Sequence, residues 1–242
     1  MKKQLIGMGA ICMLLGGAGL AQAALITIGT ATYDDGSGSA DYNLIWDDDN
    51  NGNSVVWLDY TNAGTTWAAQ NSWAAGLNTA LTYNIEPEWT VDWGSNDWRL
   101  PSTVDGPYES GYDGTTTGGY NITNSEMGHL FYTELGNPGF KGTDGVVPFE
   151  YGLKNTGDFV NLVDYWYWSG TDFAASSSSD WVFGMQYGEQ TTWGNSSPNL
   201  GLALRSGQVN AVQPVPEPAT MLLFGAGLVG LAATRIRRKQ KR

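Results

Sequence analysis

Apolar residues in this chain fall into short runs separated by glycine, asparagine and aspartate, with longer apolar stretches only at the two ends. Ile26-Thr27-Ile28, Tyr42-Asn43-Leu44-Ile45-Trp46 and Val55-Val56-Trp57-Leu58 read as strands, the first two parted by the turn-rich Asp34-Asp35-Gly36-Ser37-Gly38. From Thr66 the period changes: Ala69, Trp73, Leu77 and Ala80 or Leu81 recur at helical spacing, with Thr65 or Thr66 as N-cap. A second helix is predicted from Asn124 or Ser125, with Met127, Leu130, Phe131 and Leu135 on one face and Gly136-Asn137-Pro138 as its stop. Residues 159–163, 165–169, 181–187 and 200–205 read as further strands. Strands, two helices and strands again predict an α+β domain rather than a repeating α/β one.

The ends carry a different signal. Met1-Lys2-Lys3, the apolar run 5–20 and Ala21-Gln22-Ala23 have the basic, apolar and small order of a secretory signal peptide, with cleavage expected after Ala23. A retained transmembrane helix is the alternative, but the run is short and holds five glycines. At the other end, Val215-Pro216-Glu217-Pro218 precedes the apolar stretch 219–234 and a terminus, 235–242, with six basic residues. At about 1.5 Å per residue that stretch spans roughly 24 Å, somewhat less than a hydrocarbon core of about 30 Å. It is expected to cross the membrane with its basic end inside, leaving the bulk of the chain outside.

This tail resembles the PEP-CTERM sorting signal: Pro216-Glu217-Pro218, a glycine-containing apolar helix, then an arginine-rich end. The resemblance implies a temporary anchor, cut near the Pro-Glu-Pro by an exosortase, and delivery to the cell surface or into extracellular polysaccharide. An ordinary permanent anchor is the alternative. The expected organisation is a signal peptide at 1–23, one domain at 24–206, a linker at 207–214 and the sorting signal at 215–242.

Charge narrows the choice of partners. Residues 24–218 keep all 24 acidic groups but only Arg99, Lys141, Lys154 and Arg205 as cations, a formal charge of −20. Such a surface repels nucleic acid and anionic lipid, leaving cations, neutral glycans and basic proteins as partners. Cys12, the one cysteine, lies in the signal peptide, so the exported part has neither a disulfide nor a thiol nucleophile. All eleven tryptophans lie between the two ends, where packing must supply the stability.

Within the domain, Trp57-Leu58-Asp59-Tyr60, Thr66-Trp67-Ala68-Ala69, Trp98-Arg99-Leu100-Pro101, Glu126-Met127, Tyr167-Trp168-Ser169-Gly170-Thr171 and Leu202-Ala203-Leu204-Arg205 follow the order of DUF1566 domains. The chain is similar to that family over most of residues 41–209, with long insertions at 105–120 and 174–180. The resemblance implies a C-type lectin-like fold, with two helices beside a small irregular antiparallel sheet.

Among individual residues, Arg99 sits between Trp98 and Leu100, where pairing with a carboxylate such as Glu126 would offset its desolvation. Trp98 and Trp168 read as core, and Pro101 and Ser169 complete the motifs around them. Asp47, Asp49, Asn51 and Gly52 match the first half of a calcium loop, although Leu58 stands where the bidentate glutamate is required. A solvated acidic turn is the competing reading. Catalytic signals are sparse: His129 is the sole histidine, and Glu86 and Glu88 flank Pro87 two residues apart. The expected function is a non-catalytic, exported surface or matrix protein that binds exopolysaccharide. A purely structural matrix component and a secreted polysaccharide hydrolase are the alternatives.

Overall fold

The structure is a computed structural model and describes residues 25–212; the predicted signal peptide and sorting tail lie outside the described residues. The chain opens with three long antiparallel strands, β1 (Leu25–Asp34), β2 (Ser39–Asn50) and β3 (Asn53–Thr65). Helix α1 (Trp67–Ala80) follows, then β4 (Thr82–Ile85), β5 (Trp89–Asp92), β6 (Ser110–Gly111) and β7 (Gly118–Gly119). A four-residue helix α2 (Glu126–His129) runs directly into a π-turn (Leu130–Glu134). The chain then forms β8 (Trp166–Asp172), β9 (Ser179–Gly184), β10 (Glu189–Gly194), β11 (Asn199–Ser206) and β12 (Gln208–Ala211).

Ten strands make one sheet in the order β4-β1-β2-β3-β11-β8-β9-β10-β7-β6, while β12 and β5 pair separately. The return strand β11 lies antiparallel to β3 and touches β8 in parallel at Leu200 and Tyr167, so it joins the two meanders. Near the start of β1 the register with β2 slips between Thr27 and Gly29, a bulge that glycine accommodates at φ 147°.

Both faces of the sheet are covered, and strand alternation sorts the residues between them. Val56, Leu58, Ala203, Trp168 and Val182 join Ala74 and Leu77 of α1 in one core. Their neighbours Val55, Trp57, Leu202, Leu204, Tyr167 and Phe183 join Met127, Leu130, Phe131 and Leu135 in the other. A strand buried on both sides needs apolar side chains at consecutive positions, which accounts for Val55-Val56-Trp57-Leu58 and Leu202-Ala203-Leu204.

The lectin-like α+β fold predicted from the sequence is therefore corrected. A ten-stranded sheet dominates, and among the described residues only α1 is a full helix. The second helical segment begins where Asn124 or Ser125 was expected to start it, with Ser125 Oγ accepting from Gly128 N as its cap, and it ends before Gly136 at φ 63°. After one turn, however, it widens into the π-turn, closed by Leu135 N donating to Leu130 O. In α1, Thr66 is the cap, but Gln70, Ala74 and Leu77 form the buried face rather than Ala69, Trp73 and Leu77. The segment 159–163 is not a strand: the buried Asp59 carboxylate holds it as a loop by accepting from Val160 N and Asn161 N, each at 2.9 Å. Part of the segment read as a linker forms β12, paired with β5 from Gln208–Asp92 to Ala211–Trp89.

Candidate functional site

Three groups of polar residues meet around the β2–β3 turn. The first is the Arg99–Glu126 pair. An isolated bridge between Arg99 and Leu204 attaches the Trp98-Arg99-Leu100-Pro101 segment to the edge of β11, and α2 places Glu126 opposite. Arg99 Nη1 and Nη2 donate to Glu126 Oε2 and Oε1 at 2.6 and 2.7 Å, a forked pair. Glu126 Oε2 also accepts from Ser102 N at 2.6 Å and Ser102 Oγ at 2.9 Å. With its side chain 9% exposed, this carboxylate holds together the Arg99–Ser102 segment and the start of α2.

The surrounding motif residues are structural. Trp98 and Trp168 are 1% and 0% exposed. Their indole N–H groups donate to Tyr83 Oη at 2.7 Å and Thr65 O at 2.9 Å. Ser169 Oγ donates to the carbonyl of the buried Pro101 at 2.9 Å and accepts from Thr171 N.

The second group lies beneath the β2–β3 turn. Between Asp47 and Asn50 the β2–β3 register slips, which turns both side chains inward while Asp49 stays exposed. Asp47 Oδ2 accepts from Asn50 Nδ2 at 2.8 Å and Trp57 Nε1 at 3.2 Å. Asp49 Oδ1 instead caps the turn by accepting from Gly52 N, and Asn51 Nδ2 reaches Ser125 O. Asp47, Asp49 and Asn51 therefore do not converge on one ion. Among the described residues no three His, Cys, Asp or Glu side chains gather as a metal-ligand set. Asn50 Nδ2 also reaches Glu126 O, linking this group to the first. Where α2 runs into the π-turn, His129 Nε2 lies 3.0 Å from Glu134 Oε1. Burial pushes both Asp47 and Glu134 above the usual carboxylate range, and the charge of Asp47 adds to the rise at Glu134. Glu86 and Glu88, weighed as hydrolytic carboxylates, are exposed in the β4–β5 turn, on a different element from His129.

The third group is a cleft of about 250 Å³ on the outer side of the same turn. Gly52, Asn53 and Ser54 form one wall, Asp92, Gly94 and Asn96 the second, and Ser206, Gly207 and Gln208 the third. Trp46 Nε1 donates to Ser54 Oγ at 3.0 Å, and Ser54 Oγ donates to Gly207 O at 2.6 Å, so β2, β3 and the β11–β12 junction are locked together. Trp93 stands between two wall segments, with the Arg205 guanidinium 4.8 Å from its ring centre. Arg205 Nε is fixed by Asn96 O at 2.8 Å. Sequence reasoning missed this cleft, because its walls come from three distant polar segments with no local signature.

A separate carboxyl pair sets an expected pH response. Asp172 and Asp180 face each other across β8 and β9. Burial first, and then contact with Asp172, pushes Asp180 up to about 6. A folded-state value raised above the ordinary 3.8 means that this contribution to stability is complete below that value and is lost as pH rises through about 6. Burial pushes Asp59 and Glu189 in the same direction. The unfolding temperature is expected to fall as pH rises from about 4 to about 7, and less steeply in Asp180→Asn. Calorimetric scans across that range check this, and an equal slope in wild type and variant would contradict it.

Comparison with protein families matches residues 214–239 to the PEP-CTERM protein-sorting motif. No DUF1566 or lectin-like family matches, so the short motifs shared with DUF1566 domains do not extend to membership. Comparison with curated proteins and with solved structures finds no match to the chain. The sorting motif marks the chain for exosortase processing, which makes it an exported protein of the cell surface or extracellular space.

Proposed function

We propose that the exported domain is a non-catalytic module that binds extracellular polysaccharide through the cleft beside the β2–β3 turn. The observation that carries this reading is the lining of the cleft. The amides of Asn53, Asn96 and Gln208, the Ser206 hydroxyl and the Asp92 carboxylate surround a recess on the scale of one sugar residue, while the Ser54 hydroxyl is engaged within the wall. Amides and hydroxyls both donate and accept, as sugar hydroxyls do, and rigid strand ends hold them in place. The high negative charge of the chain favours neutral over anionic polysaccharide. The sorting motif supplies the setting, since it delivers the domain to where such polymers lie.

Polysaccharide pull-down and glycan-array measurements on the full-length chain in detergent test this. The wild type is expected to retain a neutral polysaccharide. Asn53→Ala/Gln208→Ala, both exposed positions, is expected to weaken binding about tenfold or more through lost hydrogen bonds. Failure of the wild type to bind any glycan would favour a purely structural matrix role. Glycan turnover would favour the hydrolase.

A further inference from the structure

Beside the β1–β2 turn, aromatic rings gather where the core is no longer sealed. Tyr33 on β1, Tyr42 on β2 and Tyr60 on β3 lie on the face of the sheet that α1 covers. Two residues away on the same strands, Ala31, Leu44 and Leu58 are 0% exposed. Trp73 of α1 packs against the tyrosines but leaves all three half-buried, as it is itself. The ring centres of Tyr33, Tyr42 and Trp73 stand 5.2, 4.8 and 6.0 Å from that of Tyr60, so the four form one cluster. Polar bonds fix it: Trp73 Nε1 donates to Tyr33 Oη at 3.2 Å, and Tyr60 Oη donates to Asp35 Oδ2 at 3.3 Å.

A rigid, partly wet aromatic shelf with acceptors at its border suits a pyranose ring, which has an apolar C–H face and a rim of hydroxyls. Tyrosine and tryptophan offer such a ligand a large amphipathic surface at a low cost in conformational entropy. Charge selects among sugars. Asp34, Asp35 and Asp41, all exposed in or beside the turn, accept from hydroxyls and repel anions.

We propose that Tyr33, Tyr42, Tyr60 and Trp73 form a second contact for neutral polysaccharide, on which a sugar ring stacks. This rests on the reading of the domain as a polysaccharide binder, but not on the cleft. At roughly 3.3 Å per residue, β3 runs about 23 Å from Asn53 in the cleft wall to Tyr60, so the two contacts are separate. Two separated contacts let one domain engage a polymer twice, which raises retention through effective concentration.

Hydroxyl-radical footprinting of the full-length chain in detergent, with and without the polysaccharide it retains, tests the shelf on the wild type. The backbone of β1, β2 and β3 is already paired within the sheet, so stacking registers on the rings rather than on the amides. Oxidation of Tyr33 and Tyr42 is expected to fall on binding. Tyr42→Ala, checked for folding by its melting transition, is expected to weaken retention about tenfold. Unchanged oxidation of both tyrosines with polysaccharide bound, or full retention by folded Tyr42→Ala, would overturn the shelf and leave the cleft standing. A wild type that retains no polysaccharide would overturn both. Dimers of the wild type that Tyr42→Ala abolishes would show that a second copy covers the rings, and would overturn the shelf alone.

Discussion

Trp168→Ala is expected to destabilise the domain by about 3–5 kcal/mol, the range for removing a fully buried aromatic side chain. Trp168 sits on β8 beside the junction of the two meanders, packs in the α1-side core and is 0% exposed. Its indole N–H also satisfies Thr65 O at 2.9 Å, at the point where β3 ends and α1 begins. Removing the ring would empty the core and leave that carbonyl without its partner. Trp168→Phe retains much of the apolar volume and is expected to cost about half as much, still losing the hydrogen bond. Urea unfolding measures both. Equal midpoints for Trp168→Ala and wild type would show that the two meanders do not depend on this contact.

Glu126→Ala is expected to cost about 3 kcal/mol, the lower end of the range for removing one member of a buried ion pair. The lower end applies because the Arg99 side chain is 40% exposed and keeps part of its hydration. The loss comprises both guanidinium contacts and both bonds from Ser102. Arg99→Met/Glu126→Leu, which removes both charges, is expected to be less damaging than Glu126→Ala, because neither charge is left unpaired. A double-mutant cycle in urea checks this. A double variant as unstable as the sum of the single variants Arg99→Met and Glu126→Leu would show that the residues do not act as a pair.

Local features were legible in the sequence wherever one short segment carried the signal. Thr65 or Thr66 could be read as a cap, Asn124 or Ser125 as a helix start and Gly136 as part of a stop, because each works through its immediate neighbours. The pairing of Arg99 with a carboxylate such as Glu126 followed from its place between Trp98 and Leu100, and the structure places Glu126 in that role. The architecture was harder to read. Val55-Val56-Trp57-Leu58 and Trp181-Val182-Phe183 show no alternation because both faces of the sheet are buried, so their place in a large sheet was hidden. The Asp47 loop was misread because ligand spacing assumes a regular turn, whereas the slip after Asp47 brings Asn50 inward and leaves Asp49 at the surface.

Hydrogen-exchange mapping of the full-length chain, with and without the polysaccharide it retains, tests the binding cleft most directly. The expected result is slower exchange confined to Gly52–Ser54, Asp92–Asn96 and Ser206–Gln208, the three walls. Protection elsewhere on the domain, with these three segments unchanged, would contradict it.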